Sequence, residues 1–251
     1  MVRPVTFDHP SIEGRTVEGV EIATDVTRTD DGRPTVLQLG LHHAREWSSG
    51  EVTMEYALDL FTQQDAARKQ RVLDGERTFV VPVVNPDGLE ATQQAGDHVP
   101  PADDSTDTTI ALIASGQGSY RRKNCSNGVD NAMASAPCSA QPGVDLNRNY
   151  GAFWGGPGES DNPAMQTYRG PAPFSEPEAQ NVHEFSSSHQ VMVVNSNHNF
   201  AGDVLYQPGF HRQDEPGLKT TDKVPYTDEM KQVADAVAAA AGYVSEVSHQ
   251  L

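Results

Sequence analysis

Hydrophobic residues fall along this chain in short runs separated by clusters of Gly, Pro, Asp and Asn, a spacing that suits strands alternating with helices. The runs TVEGVEIATDV and PTVLQLGL are rich in β-branched residues and are split by TRTDDGRP, whose Asp31-Gly32 pair is a hairpin signal. They are predicted to be neighbouring antiparallel strands. From Ser49 to Thr62 the run SGEVTMEYALDLFT sets Val52, Tyr56, Leu58 and Leu60 among acidic residues, which predicts an amphipathic helix with Ser48 or Ser49 as its N-cap. A strand thus feeds a helix through HHAREW. The nearly continuous apolar run TFVVPVVNPDG reads as a strand buried on both faces and ended by a turn.

Residues 93–119 are rich in Pro, Asp, Thr and Gly without a sustained period, and are predicted to be a long surface insertion. Glu176 to Ser187 is predicted helical, with Ser175 as N-cap and Glu178 at the capping-box position. HQVMVVNSNH then reads as another buried strand ending in a polar cluster, and VLYQPGF as a short strand with a turn. TDEMKQVADAVAAAAG is the clearest helix, from Thr227 as N-cap to Gly242 as C-cap. With no repeat and no internal boundary, the expectation is one domain over residues 1–251, of α/β class, with a mixed, largely parallel central sheet flanked by helices.

Composition narrows the function. Apolar residues make up 36% of 251, enough for a buried core, and 18 Lys and Arg against 35 Asp and Glu leave a net charge of −17. Such a surface repels phosphate backbones and excludes nucleic acid as a partner. No apolar stretch approaches the roughly 18–20 residues that span a bilayer, so no membrane association is expected, and the opening MVRPVTFDHP lacks the features of a signal peptide. Cys125 and Cys138 lie in a Gly, Asn and Pro-rich segment. In an oxidising compartment they would close a disulfide worth about 3 kcal/mol, and otherwise they remain two thiols in a loop.

Candidate chemistry gathers where buried strands end. His43 and Glu46 form an H-x-x-E pair between a strand and a helix, although His42, four residues before Glu46, is an equal partner by spacing. A catalytic zinc takes three protein ligands, often two His and a carboxylate, and His198 supplies the third at the end of the later strand. GVDLNRNY packs Asp145, Asn147, Arg148 and Asn149 together: a guanidinium beside an amide suits a carboxylate, and Asp145 suits the outer nitrogen of a metal-bound imidazole. The same cluster is equally the composition of a hydrogen-bonded turn. Arg121, Arg122 and Lys123, three consecutive cations in an acidic chain, suggest a site held for an anion or a developing oxyanion.

Together these segments resemble the zinc carboxypeptidases of the carboxypeptidase A and carboxypeptidase T type. The ordered matches are IEGRTVEG, LQLGLHHAREW, VVNPDG, the Arg-Lys step of YRRKN, GVDLNRNY, YRGPAPFSEPEAQ, and the strand ending at His198 followed by VLYQPGF, spanning Ser11 to Leu251. The resemblance implies one Zn²⁺ held by His43 rather than His42, with Glu46 and His198, and Asp145 supporting His43. It further implies that Arg148 and Asn147 bind the C-terminal carboxylate of a peptide, that Arg122 polarises the scissile carbonyl, that Arg45 lines an outer subsite, and that Phe200 stands where animal enzymes place a subsite Tyr.

The family's F-T-x-E-L-R pattern, which carries its general-base Glu, does not occur after His198, and only eleven residues precede IEGR where the family has a helix and a strand. The resemblance therefore implies a single domain lacking its last third and its opening elements, monomeric, secreted, and weak or inactive in hydrolysis by itself. Two alternatives stay open. One is a peptidoglycan γ-glutamyl peptidase or acyl-amino-acid deacylase of the same superfamily, the other a non-catalytic zinc-holding module that binds peptide C termini.

Overall fold

A strand that is apolar on both faces belongs at the centre of a sheet, and the sequence has one clear instance in RTFVV. The structure, a computed structural model, describes residues 1–29, 31–62, 65–95, 116, 118–130, 136–152, 154–199, 201–206 and 227–247. Its strands in unit 1, residues Met1–Asn199, are Val2–Thr6 (β1), Glu18–Ile22 (β2), Thr35–Leu39 (β3), Arg77–Val81 (β4) and Val191–Ser196 (β5). They form a five-stranded sheet in the order β1-β2-β4-β3-β5, with β4 buried throughout at its centre. The pairs β1-β2 and β2-β4 are antiparallel, and β4-β3 and β3-β5 are parallel. The expected mixed sheet is therefore present, with its parallel pairs on the β4-β3-β5 side.

The predicted hairpin between β2 and β3 does not form. β4 inserts between them, pairing Val20 with Val80 on one side and Leu37 with Phe79 on the other. Asp31, assigned to the hairpin turn, instead accepts hydrogen bonds from Arg33 Nε at 2.9 Å and Arg77 Nη1 at 3.1 Å. Arg77 also donates to buried Glu21, so two guanidinium groups fasten the connection to the sheet. β1 lies ahead of the segment where the sequence suggested a first strand.

Helices Trp47–Thr62 (α1), Ala66–Gly75 (α2), Pro86–Gln94 (α3) and Pro177–Ser188 (α4) complete the unit. Leu60 of α1 and Leu73 of α2 pack with Ile22 and Val80 in one apolar cluster, whereas Val182 and Phe185 of α4 join Phe7, Leu37, Leu39, Phe79 and Val81 in another. The strands alternate between these clusters, which makes an α/β/α sandwich. Each buried Leu or Phe contributes roughly 1.5–3 kcal/mol.

Several local expectations shift. α1 buries Ser49, Gly50, Thr53 and Leu60, leaving Val52 and Leu58 exposed, because small residues let it approach the sheet closely. A Cβ on Gly50 would stand 2.7 Å from Leu41 Cδ1. The Asn-Pro-Asp-Gly turn is the start of α3, with Asn85 as N-cap accepting from Gly88 N at 2.9 Å. Glu176, one residue later than expected, caps α4 without a side-chain bond. β5 is half-exposed rather than buried, with Met192 and Val194 open to solvent. Most of the insertion predicted at 93–119 lies outside the described residues.

Unit 2, Phe200–Leu251, pairs Asp203–Tyr206 (β6) in parallel with Val244–Val247 (β7), connected through Thr227–Ala241 (α5). The expected C-terminal glycine, Gly242, has φ of 73°. Among the described residues no helix is long and apolar enough to cross a membrane. Cys125 and Cys138 are joined in a disulfide.

At the base of α4, Glu176 and Glu178 are both fully buried and share Asn124, whose Nδ2 donates to Glu176 at 2.7 Å and to Glu178 at 3.3 Å. Burial, then the charges of Glu176 and Asp87, raise Glu178 from its ordinary 4.5 to about 8. Between those values the folded chain retains a proton that the unfolded chain has released. Stability from this group is thus full below pH 4.5 and falls as pH rises towards 8, by at most about 1.4 kcal/mol per pH unit. Glu178→Gln should flatten this slope and make the protein more stable than the parent at pH 8, as read by urea unfolding at pH 5 and pH 8. An unchanged slope would contradict the assignment.

Candidate metal centre

Because β3 and β5 are adjacent and parallel, their carboxyl ends open on the same edge of the sheet. The chain leaves β3 through Gly40 and Leu41 in a tight corner. A Cβ on Gly40 would meet Thr53 Oγ1 at 2.6 Å and Pro82 O at 2.7 Å, and Leu41 adopts φ of 51°. That left-handed conformation costs about 1–2 kcal/mol and is held by its surroundings. Leu41 N donates to Ser49 Oγ at 2.9 Å, Leu41 O accepts from Asn85 N at 3.0 Å, and His42 O accepts from Asn85 Nδ2 at 3.2 Å. Ser49, expected as a helix cap, therefore clamps the corner. On the neighbouring strand, Asn197 N donates to Leu39 O at 2.8 Å and Asn197 Nδ2 to Thr53 Oγ1 at 2.8 Å, which fixes the approach to His198.

His43, Glu46 and His198 meet at this edge. His43 Nδ1 lies 2.7 Å from Glu46 Oε1, His198 Nδ1 lies 2.8 Å from Glu46 Oε2, and the two Nδ1 atoms are 3.1 Å apart. One ligand atom from each residue falls within a 4.8 Å group. Two bonds of about 2.05 Å at a tetrahedral angle set ligand atoms roughly 3.3 Å apart, so the cluster fits a zinc ion after a small outward movement. Two imidazole nitrogens facing each other across a carboxylate also require a proton or a cation between them. Burial pushes the Glu46 carboxyl up, but hydrogen bonds from His198 and His43 outweigh it and hold the group at about 2, so it is an anion.

Behind the ligands stands Asp145, fully buried. Its Oδ1 is 3.2 Å from His43 Nε2, close enough for charge pairing though off the line of a well-formed hydrogen bond. Its Oδ2 accepts from Arg122 Nε and Nη2, both at 2.9 Å. Burial alone would raise this carboxyl; His43, Arg122 and Arg148 hold it well below the usual range. Asp145 also accepts from Asn147 N at 3.1 Å, capping the 3-10 turn Leu146–Arg148 that presents Asn147 and Arg148. Arg148 donates Nε to Gly158 O at 3.1 Å and Nη1 to Asn147 O at 3.0 Å. Arg45 is half-buried, and burial followed by the charge of Arg122 lowers its pKa.

The basic triplet divides. Arg122 faces the site, but Arg121 and Lys123 point into the protein, where Arg121 Nε donates to Lys123 O at 3.0 Å and Lys123 Nζ to Pro163 O and Met165 O at 2.7 and 2.9 Å. They hold backbone carbonyls, not a substrate anion. Phe200 lies outside the described residues. Sequence reasoning left His42 unassigned once His43 was preferred, and missed Tyr150 and Ser196. His42 is fully buried, 2.7 Å from Tyr150 Oη through Nε2 and 3.0 Å from Ser196 Oγ through Nδ1. The doubled histidine was the available signal for it. Burial, then the proximity of His198 and His43, lowers its pKa well below the ordinary value, which keeps the ring neutral.

The chain belongs to the zinc carboxypeptidase family, whose profile matches residues 1–250. Metallocarboxypeptidase A of Trichophyton tonsurans is 30% identical over 203 residues, covering 79% of this chain and 40% of that protein. Carboxypeptidase A1 of Mus musculus is 25% identical over 240 residues, 92% of this chain and 45% of the relative. The chain thus spans less than half the length of these two relatives. Among solved structures, carboxypeptidase A of Helicoverpa armigera superposes over 100% of this chain and 53% of its own, with a TM-score of 0.72 at 24% identity. Thrombin activatable fibrinolysis inhibitor gives 0.71 at 19% identity, over 100% and 55%. These likenesses establish the carboxypeptidase fold.

Asp145→Asn should lower stability by about 2–4 kcal/mol in the presence of chelator, somewhat less than for a fully enclosed ion pair because Arg122 keeps some contact with water. Urea unfolding measures it. A loss below 0.5 kcal/mol, on the order of an exposed pair, would show that Asp145 is not the anchor of this cluster.

Proposed function

We propose that this chain forms the zinc centre and carboxylate-binding edge of a zinc-dependent metallocarboxypeptidase, which removes C-terminal amino acids from peptides. The observation that carries the reading is the convergence of His43, Glu46 and His198, with Asp145 behind them and Arg45, Arg122 and Arg148 on the same edge of a molecule whose net charge is −17. Local positive charge on an acidic protein suits an anionic end group of a substrate.

His43 and His198 would hold the ion through Nδ1 and Glu46 through its carboxylate. Bound zinc supplies a Lewis acid and an activated water. Asp145, 3.2 Å from the outer nitrogen of His43, pairs with it by charge and would keep the Nδ1 lone pair turned towards the ligand cluster. Arg122, steadied by two contacts to Asp145, retains Nη1 for the oxygen that gains negative charge as a carbonyl is attacked. Asn147 and Arg148 grip the terminal carboxylate, and Arg45 lines an outer subsite. Phe200 occupies the aromatic subsite position by sequence. The Cys125–Cys138 disulfide supports an oxidising, extracellular setting.

Purified protein should contain one zinc per chain, lost in His43→Ala and in His198→Ala, as measured by metal analysis after dialysis. Full stoichiometry in both variants would remove these residues from the site. Binding of a free-acid peptide should weaken about tenfold or more in Arg148→Ala, the loss of a charge-assisted contact of roughly 1.5–3 kcal/mol. The corresponding C-terminal amide should bind poorly to both proteins. Equal affinity of the unaltered chain for acid and amide would refute carboxylate recognition.

A further inference from the structure

Three side chains outside the ligand set form a continuous path to the third ligand. Tyr150 Oη is 2.7 Å from His42 Nε2, His42 Nδ1 is 3.0 Å from Ser196 Oγ, and Ser196 Oγ is 3.1 Å from His198 Nε2. The His42 ring also stacks on the His198 ring, with centroids 5.7 Å apart and planes inclined by 28°. We propose that His42 and Ser196 are positioning residues for His198, fixing the plane of its ring and coupling its tautomer to the polarity of this path. This inference rests on the reading of His43, Glu46 and His198 as the metal centre.

A serine hydroxyl has one hydrogen to give, so of the two imidazole nitrogens it touches, one accepts from it and the other donates to it. A neutral imidazole likewise carries one N–H. With His198 Nδ1 turned towards Glu46 and His43 as a lone-pair donor, its hydrogen sits on Nε2 and is given to Ser196 Oγ. Ser196 then donates to His42 Nδ1, and His42 donates from Nε2 to the Tyr150 oxygen. Every member of the path is satisfied in that direction.

The opposite direction is equally satisfiable. Tyr150 donates to His42 Nε2, His42 Nδ1–H to Ser196, and Ser196 to His198 Nε2, which leaves the hydrogen on His198 Nδ1 facing Glu46. The path thus has two polarities. One leaves His198 Nδ1 open for a cation, and the other fills that position with a proton. Asp145 stands behind His43 as a fixed negative charge, whereas His198, which is more exposed, has Ser196 and through it His42 behind its outer nitrogen.

The test uses Co²⁺ and Zn²⁺ binding to the full chain. Chelator competition gives affinity, the visible spectrum of the Co²⁺ form reports ligand geometry, and thermal melting of the metal-free proteins reports the fold. His42→Phe keeps a stacking ring but removes both hydrogen bonds, Ser196→Ala removes only the bridge, and Ser196→Thr restores a hydroxyl. Metal affinity should fall about tenfold or more in His42→Phe and measurably in Ser196→Ala, with an altered Co²⁺ spectrum in each, and return towards the parent in Ser196→Thr. Ser196→Ala carries the test alone if His42→Phe melts early. Equal affinity and spectra in the parent, Ser196→Ala and His42→Phe would overturn the inference. Failure of the parent itself to bind either metal would remove the reading of the centre, and the inference with it.

Discussion

The parallel pairing of β3 with β5 is the constraint on which the candidate site depends. It sets Leu39 beside Ser196, so the chain emerges from both strands at one level and His43 meets His198 across 155 positions of sequence. Parallel neighbours cannot be joined by a tight turn, and the intervening chain has to cross back over the sheet. That crossing includes β4, α3 and the segment that carries Arg122 and Asp145. The connection therefore does more than close a loop: it supplies the residues that stand behind the ligands.

Polar groups that would be costly to bury alone are buried here in mutually satisfied sets. Asp145 faces His43 and Arg122, Glu46 faces both imidazoles, and Glu21 is met by Arg3 and Arg77. Removing one member leaves the other desolvated and uncompensated, which is why such sets hold a geometry more firmly than apolar contacts of the same size. The corner at Gly40 and Leu41 shows the same economy. A left-handed leucine is retained because Asn85, Ser49 and Gly50 surround it, and the bend it makes leads the chain to His43, beside Glu46 and His198.

Much of this was legible in the sequence. Runs such as TFVVPVV announce a doubly buried strand by their lack of alternation, and the ligands lie at strand ends where open sheets bind ligands. Strand adjacency was not legible. The Asp31-Gly32 signal is local, whereas the insertion of β4 between β2 and β3 follows from which strand has two apolar faces to hide. α2 was missed because AARKQRVLDG buries only Leu73 and has no broad apolar stripe. Arg121 and Lys123 were misread because composition reports charge, not direction: both are spent on carbonyls inside the protein. Ser196 carries no local pattern at all, and the doubled histidine marks His42 without showing its role, which exists only where two strand ends meet.

Strand pairing sets His43 and His198 side by side, and with Glu46 they form one candidate coordination sphere. X-ray absorption at the zinc edge of the purified chain addresses it most directly. The expected spectrum has nitrogen and oxygen neighbours at about 2.0–2.1 Å, with outer-shell scattering from two imidazole rings and no sulfur. Scattering from three imidazoles would bring His42 into the coordination sphere, and a sulfur neighbour at about 2.3 Å would move the ion to the cysteines; either result would contradict the assembly described for β3 and β5.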